Sequence, residues 1–371
     1  MHTKKSSKPT FMLSPCGTSL LTNLTGNGGQ NLTRTYANAA EAEIEKNDLS
    51  QLQSMVDKAR DLLLQSDFKD VCRHSAELNA ISRYYEMGRS VNHQDIHILL
   101  ASNTWLGKQT AGLVKEWLER HGVTVRVEVQ ADLTTDNLVH FQSAMSDLVK
   151  FCEEEVEPYR QANRHVVFNL TGGFKSVQGF LQTLAMFYAD EAIYIFQSQD
   201  ELLRLPRLPV KMDAEEVVRS HLNTFRRLSK NIPVKKEQLS DIPEVFYIGI
   251  DEEFIFSPWG ELAWNQVKKN IYEQQIFESP HQQIQYSEKF IKSVQGLSPK
   301  RNVQINERLD DLMRMKEFDD NLHRLRFKAL AGNPVSGSTH QFYAYSDGDA
   351  RRIFCHFEGP VIVLDKYDKH L

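Results

Sequence analysis

Five apolar segments spaced through the first two hundred or so residues constrain this chain more than any other feature. They are Thr10–Leu13, Asp95–Ala101, Val123–Val129, Val166–Leu170 and Ala192–Phe196. Between them lie stretches with apolar residues three and four apart: Leu52–Leu64, Ala76–Met87, Gln109–Arg120, the series Phe141, Met145, Leu148 and Cys152, and Phe174–Tyr188. A strand that is apolar along its whole length needs cover on both faces, which helices supply in a parallel sheet. The alternation therefore predicts a doubly wound, Rossmann-like α/β domain over residues 1–212. Ligands of such sheets collect beyond the carboxyl ends of the strands, where the strand order reverses.

Three polar loops follow these strands. The first is Ser14 to Ser19, with Gly17, Thr18 and Ser19 at its end; the second is Ser102, Asn103 and Thr104. The third, Asn169-Leu170-Thr171-Gly172-Gly173-Phe174-Lys175-Ser176, joins a strand to a helix. Two glycines let backbone N–H groups approach a ligand, the helix start is positive, and Lys175 adds a charge. Thr171 and Ser176 supply hydroxyls. The set suits a phosphodiester. The spacing of a Walker A loop is absent, and a tight turn that merely permits close strand–helix packing is the competing reading.

Residues 213–280 read as a bridging module: a helix from Asp213, a charged connector with Pro233 and Pro243, a strand and a second helix from Glu261. Residues 281–371 change character. A short strand precedes two amphipathic helices, marked by Phe290, Val294 and Leu297 and by Ile305, Leu309, Leu312 and Met313; three alternating segments follow. The pattern is β-α-α-β-β-β, a compact α+β module.

Charge also shifts there. The whole chain carries −5, yet about 14 Lys and Arg stand against about 12 Asp and Glu after residue 280. Arg324, Arg326, Lys328, Arg351, Arg352, Lys366 and Lys369 crowd the strands, with Tyr367 and His370 beside the last two. Without a carboxylate cluster to hold Mg²⁺, the expected chemistry is metal-free RNA cleavage. There the 2′-hydroxyl attacks its own phosphate, aided by a base, a cationic cradle and an acid. Arg351 and Arg352 are adjacent in a strand, so at most one faces such a site. For any single cation, a solvated basic face is the competing reading.

The motifs carry two resemblances. Asn169-Leu-Thr-Gly-Gly-Phe-Lys175, with the two earlier loops and His74-Ser-Ala-Glu-Leu-Asn79, resembles the CARF domains of type III CRISPR systems. That likeness implies a homodimer binding cyclic oligoadenylate, expected to be cyclic tetra-adenylate, through Gly17, Thr18, Ser19, Ser102, Asn103, Thr104, Asn169, Thr171, Gly172, Gly173, Lys175 and Ser176. It also implies slow cleavage of that ring as a further activity. Tyr286-Ser-Glu-Lys-Phe290, Phe342-Tyr-Ala-Tyr345, Asp349-Ala-Arg-Arg-Ile353 and Val361-Ile-Val-Leu364, in that order, resemble RelE-family toxins. By that likeness Arg352 contacts phosphate, Lys328 and Arg326 are the basic residues of a hairpin strand, and Lys366 belongs to a basic tail. The family's late catalytic tyrosine would fall to Tyr367 or His370, with Lys369 nearby. The two halves together resemble the CARF–RelE fusions, ribonucleases that cut ribosome-bound messenger RNA.

Two other readings stay open: a ligand-gated regulator that binds nucleic acid without cutting it, and a ring nuclease whose RelE-like half is degenerate. No cofactor or metal is expected, and no membrane partner. Four cysteines without zinc spacing and the lack of a long apolar run lead to an expected cytoplasmic location.

Overall fold

The computed structural model describes residues 8–24, 26–86, 91–130, 138–173, 175–196, 201–320, 323–331, 335–345 and 347–369. Two compact units divide the chain, Met1–Lys211 and Met212–Leu371.

In the first unit β1 (Thr10–Pro15), β2 (Ile96–Ser102), β3 (Thr124–Gln130), β4 (His165–Asn169), β5 (Glu191–Phe196) and β6 (Glu201–Pro206) form one sheet, in the order β3-β2-β1-β4-β5-β6. The first five strands run parallel. β6 returns antiparallel along β5, so the sheet is mixed, not wholly parallel as expected. β6 was not foreseen because it is an edge strand, half exposed along its length; edge strands lack the apolar run that marks a buried one. Helices α1 (Lys46–Gln65), α2 (Ala76–Glu86), α3 (Trp105–Arg120), α4 (Leu138–Phe151) and α5 (Lys175–Tyr188) accompany the sheet. Leu52, Val56, Leu78, Ile81, Leu106 and Trp117 pack with Met12 and Leu99 in its main core. Strand order reverses between β1 and β4, so the loops after these two strands flank the crevice where such sheets bind ligands.

The second unit holds α6 (Leu222–Leu228), the hairpin β7 (Tyr247–Ile250) and β8 (Glu253–Phe256), and α7 (Pro258–Tyr272). Ser257 caps α7, its Oγ accepting from the Gly260 amide at 3.1 Å, and Pro258 takes the first helical position. Then follow β9 (Ile284–Tyr286), α8 (Glu288–Ser293), α9 (Pro299–Phe318), β10 (Lys328–Ala329), β11 (His340–Tyr343), β12 (Arg351–Glu358) and β13 (Val361–Lys369). The sheet order is β10-β11-β12-β13-β9, antiparallel except for the β13–β9 pair. The expected β-α-α-β-β-β series is present, with β10 added at the edge.

Residue 280 is not a seam in the packing. α9 is buried on two sides. Ile305, Leu309, Leu312 and Met313 fill the core under the sheet with Phe342, Ile353 and Leu364. On the other side, Asn302, Asn306 and Asp310 form a polar ladder at i, i+4 spacing. Asn302 donates to the Glu273 carbonyl at 3.0 Å; Asn306 donates to the Gln275 carbonyl at 2.8 Å and accepts from the Phe277 amide at 2.9 Å. Asp310 accepts from Arg226 Nε at 2.8 Å and from the Tyr272 hydroxyl. The stretch read as a bridging module is thus built into the second unit by buried polar bonds.

Candidate functional site

At the first unit's switch point the organising group is Glu77, on the first turn of α2 and 1% exposed. Its Oε1 accepts from the Gly17 amide at 2.8 Å. Its Oε2 accepts from Ser19 Oγ at 3.0 Å and Ser75 Oγ at 2.6 Å. One carboxylate therefore gathers the loop after β1. Asn169, fully buried at the end of β4, donates to Ser14 Oγ at 3.3 Å and to the Glu77 carbonyl at 3.1 Å, and accepts from the Thr171 amide at 3.2 Å. Asn169 thus ties the two loops together and spends its side chain within the protein.

Of the other expected ligand contacts, Lys175 is exposed at the start of α5, and Gly17, Thr18, Ser19 and Gly173 are half-buried in the same cleft region. Thr171 Oγ1 is buried and makes no hydrogen bond among the described residues. Ser102 and Thr104 are buried and bonded to each other at 2.9 Å, Thr104 capping α3 through the Gly107 amide at 3.1 Å; only Asn103 of that loop is exposed. The side chain of Ser176 lies outside the described residues.

Gly172 and Gly173 have separate reasons to be glycine. Gly173 has φ +88° and passes over Pro15, so an added Cβ would stand 2.8 Å from the proline ring. A Cβ at Gly172 would stand 2.1 Å from Glu77 Oε1. Glu77 cannot swing aside without dropping three hydrogen bonds to a charged group. Gly172→Ala therefore lowers the stability of the first unit by about 1–3 kcal/mol, the usual range for overpacking. Urea unfolding of the full chain reads it; an unchanged midpoint would mean that this loop yields freely.

The second unit's sheet has a core face and an outer face. Phe342, Ile353, Cys355, Ile362 and Leu364 point into the core. Tyr343 pairs with Arg352, and Gln341 pairs with Lys328 on one side and Phe354 on the other. By alternation these residues lie on the outer face. There the Arg352 guanidinium lies 3.6 Å from the centroid of the Tyr343 ring, and that of Arg326 lies 5.2 Å away. Arg326 Nη1 also donates to the Tyr343 hydroxyl at 3.4 Å. That hydrogen bond, with the charges of Arg352, Arg326 and Lys328, holds the Tyr343 phenol below its ordinary pKa. Arg352 is 8% exposed and donates through Nη1 to the Arg351 carbonyl at 2.9 Å, while its buried Nε has no partner among the described residues.

Further along the same face, His356 Nδ1 meets Asp365 at 2.8 Å and its Nε2 meets Glu358 at 3.2 Å. Burial draws its pKa down, but the hydrogen bonds to Glu358 and Asp365 outweigh that and leave it raised.

Tyr367 does not join this face. Phe354 pairs with Lys366 while Cys355 pairs with Leu364, which leaves Asp365 as an extra residue in β13. Such a bulge shifts the alternation by one. It turns Lys366 outward and Tyr367, opposite Ile353, inward. There the Tyr367 hydroxyl bonds that of Tyr345 at 2.5 Å, and Tyr367 is 8% exposed. Of the two residues expected to take the late tyrosine's part, Tyr367 uses its hydroxyl within the core. Lys366 is exposed and paired with Asp368 at 2.5 Å. Lys369 is exposed opposite Arg351, which sits on the Tyr367 side at 5.8 Å from its ring. His370 lies outside the described residues. Among the described residues no group of three His, Cys, Asp or Glu is placed to hold a metal ion, and no helix is long and apolar enough to cross a membrane.

Residues 72–208 match a family model described as CRISPR-associated protein (Cas_APE2256). Over that stretch the chain is similar to CRISPR-associated proteins. The match takes in Glu77, the Ser102–Thr104 loop and Thr171–Lys175, and leaves out β1 and the whole second unit. No match is found among curated proteins. Among solved structures there is a likeness to Enterococcus italicus Csm6 bound to cyclic hexa-2′-fluoro-hexa-dAMP, at 15% identity over 85% of this chain and 56% of that one, with a TM-score of 0.27. The chain spans little more than half of that protein's length, and at this score the likeness carries no structural argument.

Two residues of these sites went unread in the sequence. Glu77 stands inside a CRISPR-type motif, but a glutamate in the first turn of a helix gives no sign of being buried. Tyr343 stands in an alternating strand, and the cations around it come from two other segments. Only the strand register brings them together.

Proposed function

We propose that this chain is a ribonuclease of antiviral CRISPR signalling, activated by cyclic oligoadenylate. In this reading residues 1–212 sense the ring, expected to be cyclic tetra-adenylate, as a homodimer in which identical patches meet a symmetric ligand. Gly17, Thr18, Ser19, Asn103, Thr171, Gly172, Gly173 and Lys175 face the ligand, while Asn169, Ser102 and Thr104 hold the loops in place. Residues 281–371 act as the RelE-like nuclease, with 213–280 as the scaffold behind its long helix.

The observation that carries the reading is the outer face of the second sheet. Arg326, Lys328 and Arg352 converge there on one half-buried phenol. Cations gathered on one side of a sheet suit a pentacoordinate phosphorane, whose charge they offset. Most of the residues here are cations suited to bind and stabilise, and acid–base machinery is sparse. The substrate is therefore one whose geometry is imposed from outside, messenger RNA held in the ribosome.

The test is translation in a cell-free extract with and without cyclic tetra-adenylate or cyclic hexa-adenylate, sequencing the 5′ ends of messenger RNA. Ligand-dependent ends at a fixed place in ribosome-bound messages, with 2′,3′-cyclic phosphate on the upstream fragment, are expected. Intact messages with both rings would end the nuclease reading.

A further inference from the structure

We propose that Tyr343 is the proton acceptor of this nuclease face, taking the 2′-hydroxyl proton of an RNA strand laid over Arg326, Lys328 and Arg352. The inference rests on the RNA-cleaving reading above and adds to it a group that accepts the proton. The hydroxyl of Tyr343 accepts from Arg326 Nη1 at 3.4 Å, which leaves it a second lone pair and its hydrogen for a substrate. The Arg352 guanidinium stacks on its ring at 3.6 Å. Arg326 holds a left-handed backbone, φ +48°, which costs a non-glycine residue energy. Strain of this kind persists where surrounding contacts hold it, and it gathers at functional sites.

The charged and titratable groups on this face are Arg326 and Lys328 beside β11, Arg352, His356 and Glu358 on β12, and Asp365, Lys366 and Asp368 on β13, with His356 paired to Asp365 and Glu358. Asp368 is occupied by Lys366 at 2.5 Å. The three cations nearest the phenol favour its ionised form, a proton acceptor better matched to neutral pH than an ordinary tyrosine. A phosphate bound to the same cations would sit beside it.

In the step, the Tyr343 phenolate removes the proton from O2′, and O2′ forms a bond to phosphorus. The P–O5′ bond breaks with its electron pair on O5′, which takes a proton from the Lys328 ammonium. Tyr343 then gives its proton to water and Lys328 takes one back. The products are a 2′,3′-cyclic phosphate and a 5′-hydroxyl, with no net proton change.

The test compares wild type, Tyr343→Phe and Arg352→Ala in the full chain, as single-turnover cleavage of ribosome-bound messenger RNA with cyclic tetra-adenylate, from pH 6.5 to 8.5. Tyr343→Phe keeps the ring under Arg352 and removes only the hydroxyl. We expect a loss of about 100-fold, the low end for general-base catalysis, and loss of the rise in log rate with pH that wild type shows. If Tyr343→Phe stays within about two-fold of wild type with the same pH profile while Arg352→Ala is inactive, Tyr343 is a stacking platform and the inference fails alone. If Arg352→Ala cuts as well as wild type, the nuclease reading of this face fails and takes Tyr343 with it.

Discussion

Replacing Asp310 by alanine lowers the stability of the second unit by about 3–5 kcal/mol, the range for breaking a buried ion pair from one side. Arg226 is fully buried, and its Nε donates to Asp310 at 2.8 Å. Without the carboxylate, a guanidinium stays in the interior with the Glu278 carbonyl and the Tyr272 phenol left to answer it. The Tyr272 hydroxyl loses its acceptor as well. Because a domain is typically stable by only about 5–15 kcal/mol, this single change takes a large share. The double variant Arg226→Met with Asp310→Leu removes both charges and recovers most of the loss, since well-packed apolar pairs replace buried ion pairs at little cost. Denaturant unfolding of the full chain, monitored by tryptophan emission, reads both. A loss below about 1 kcal/mol in Asp310→Ala would show that water reaches this pair.

On the proposed ribonuclease reading, Arg352→Ala is expected to cut the cleavage rate by about 10³-fold while leaving the unit folded. Removal of one preorganised donor to a developing oxyanion costs about 10²–10³ in rate. Arg352 offers a charge as well, so the upper end or beyond is expected. Arg352→Lys recovers only part, because an ammonium keeps the charge but loses the planar fork that spans two phosphate oxygens and lies flat on Tyr343. The fold tolerates either change: the guanidinium stacks on one half-buried ring and bonds two carbonyls at the turn. The reading is made by sequencing cut sites in translation extracts beside a thermal unfolding scan. An Arg352→Ala protein that unfolds several degrees early would move the residue from chemistry to architecture.

The first unit was legible because its strands are buried on both faces. Val166 to Leu170 can be little but an inner strand, and β4 lies there within a residue. β6 was not legible, since an edge strand carries Glu201 and Arg204 to solvent or to ion pairs, and nothing local distinguishes it from a loop. The Gly172–Gly173 turn was readable from its own chemistry. Its partner Glu77 was not, being more than ninety residues upstream and of a type almost always at the surface. In α9 the apolar stripe announced one buried face. Asn302, Asn306 and Asp310 are of types usually found at the surface, and their partners at residues 226 and 272–277 explain why they are inside. Tyr367 was named only by resemblance, as an alternative to His370; the bulge at Asp365, which no alternation pattern reveals in advance, turns its side chain inward.

The pairing of β9 with β13 also sets the order in which the second unit can be built. Ile284 waits for Ile362, seventy-eight residues later, so one border of the sheet stays open until β13 emerges. Distant pairings of this sort slow folding, because the chain between must be ordered before the contact stabilises anything. During synthesis, a nascent chain that has reached Glu358 already carries Arg326, Lys328, Tyr343 and Arg352, yet β12 has a bare edge where β13 belongs. The cationic face then stands on an unfinished sheet. Completion of β13 is thus a checkpoint in time: the cationic face proposed to cut RNA rests on a finished sheet only after β13 has joined β12.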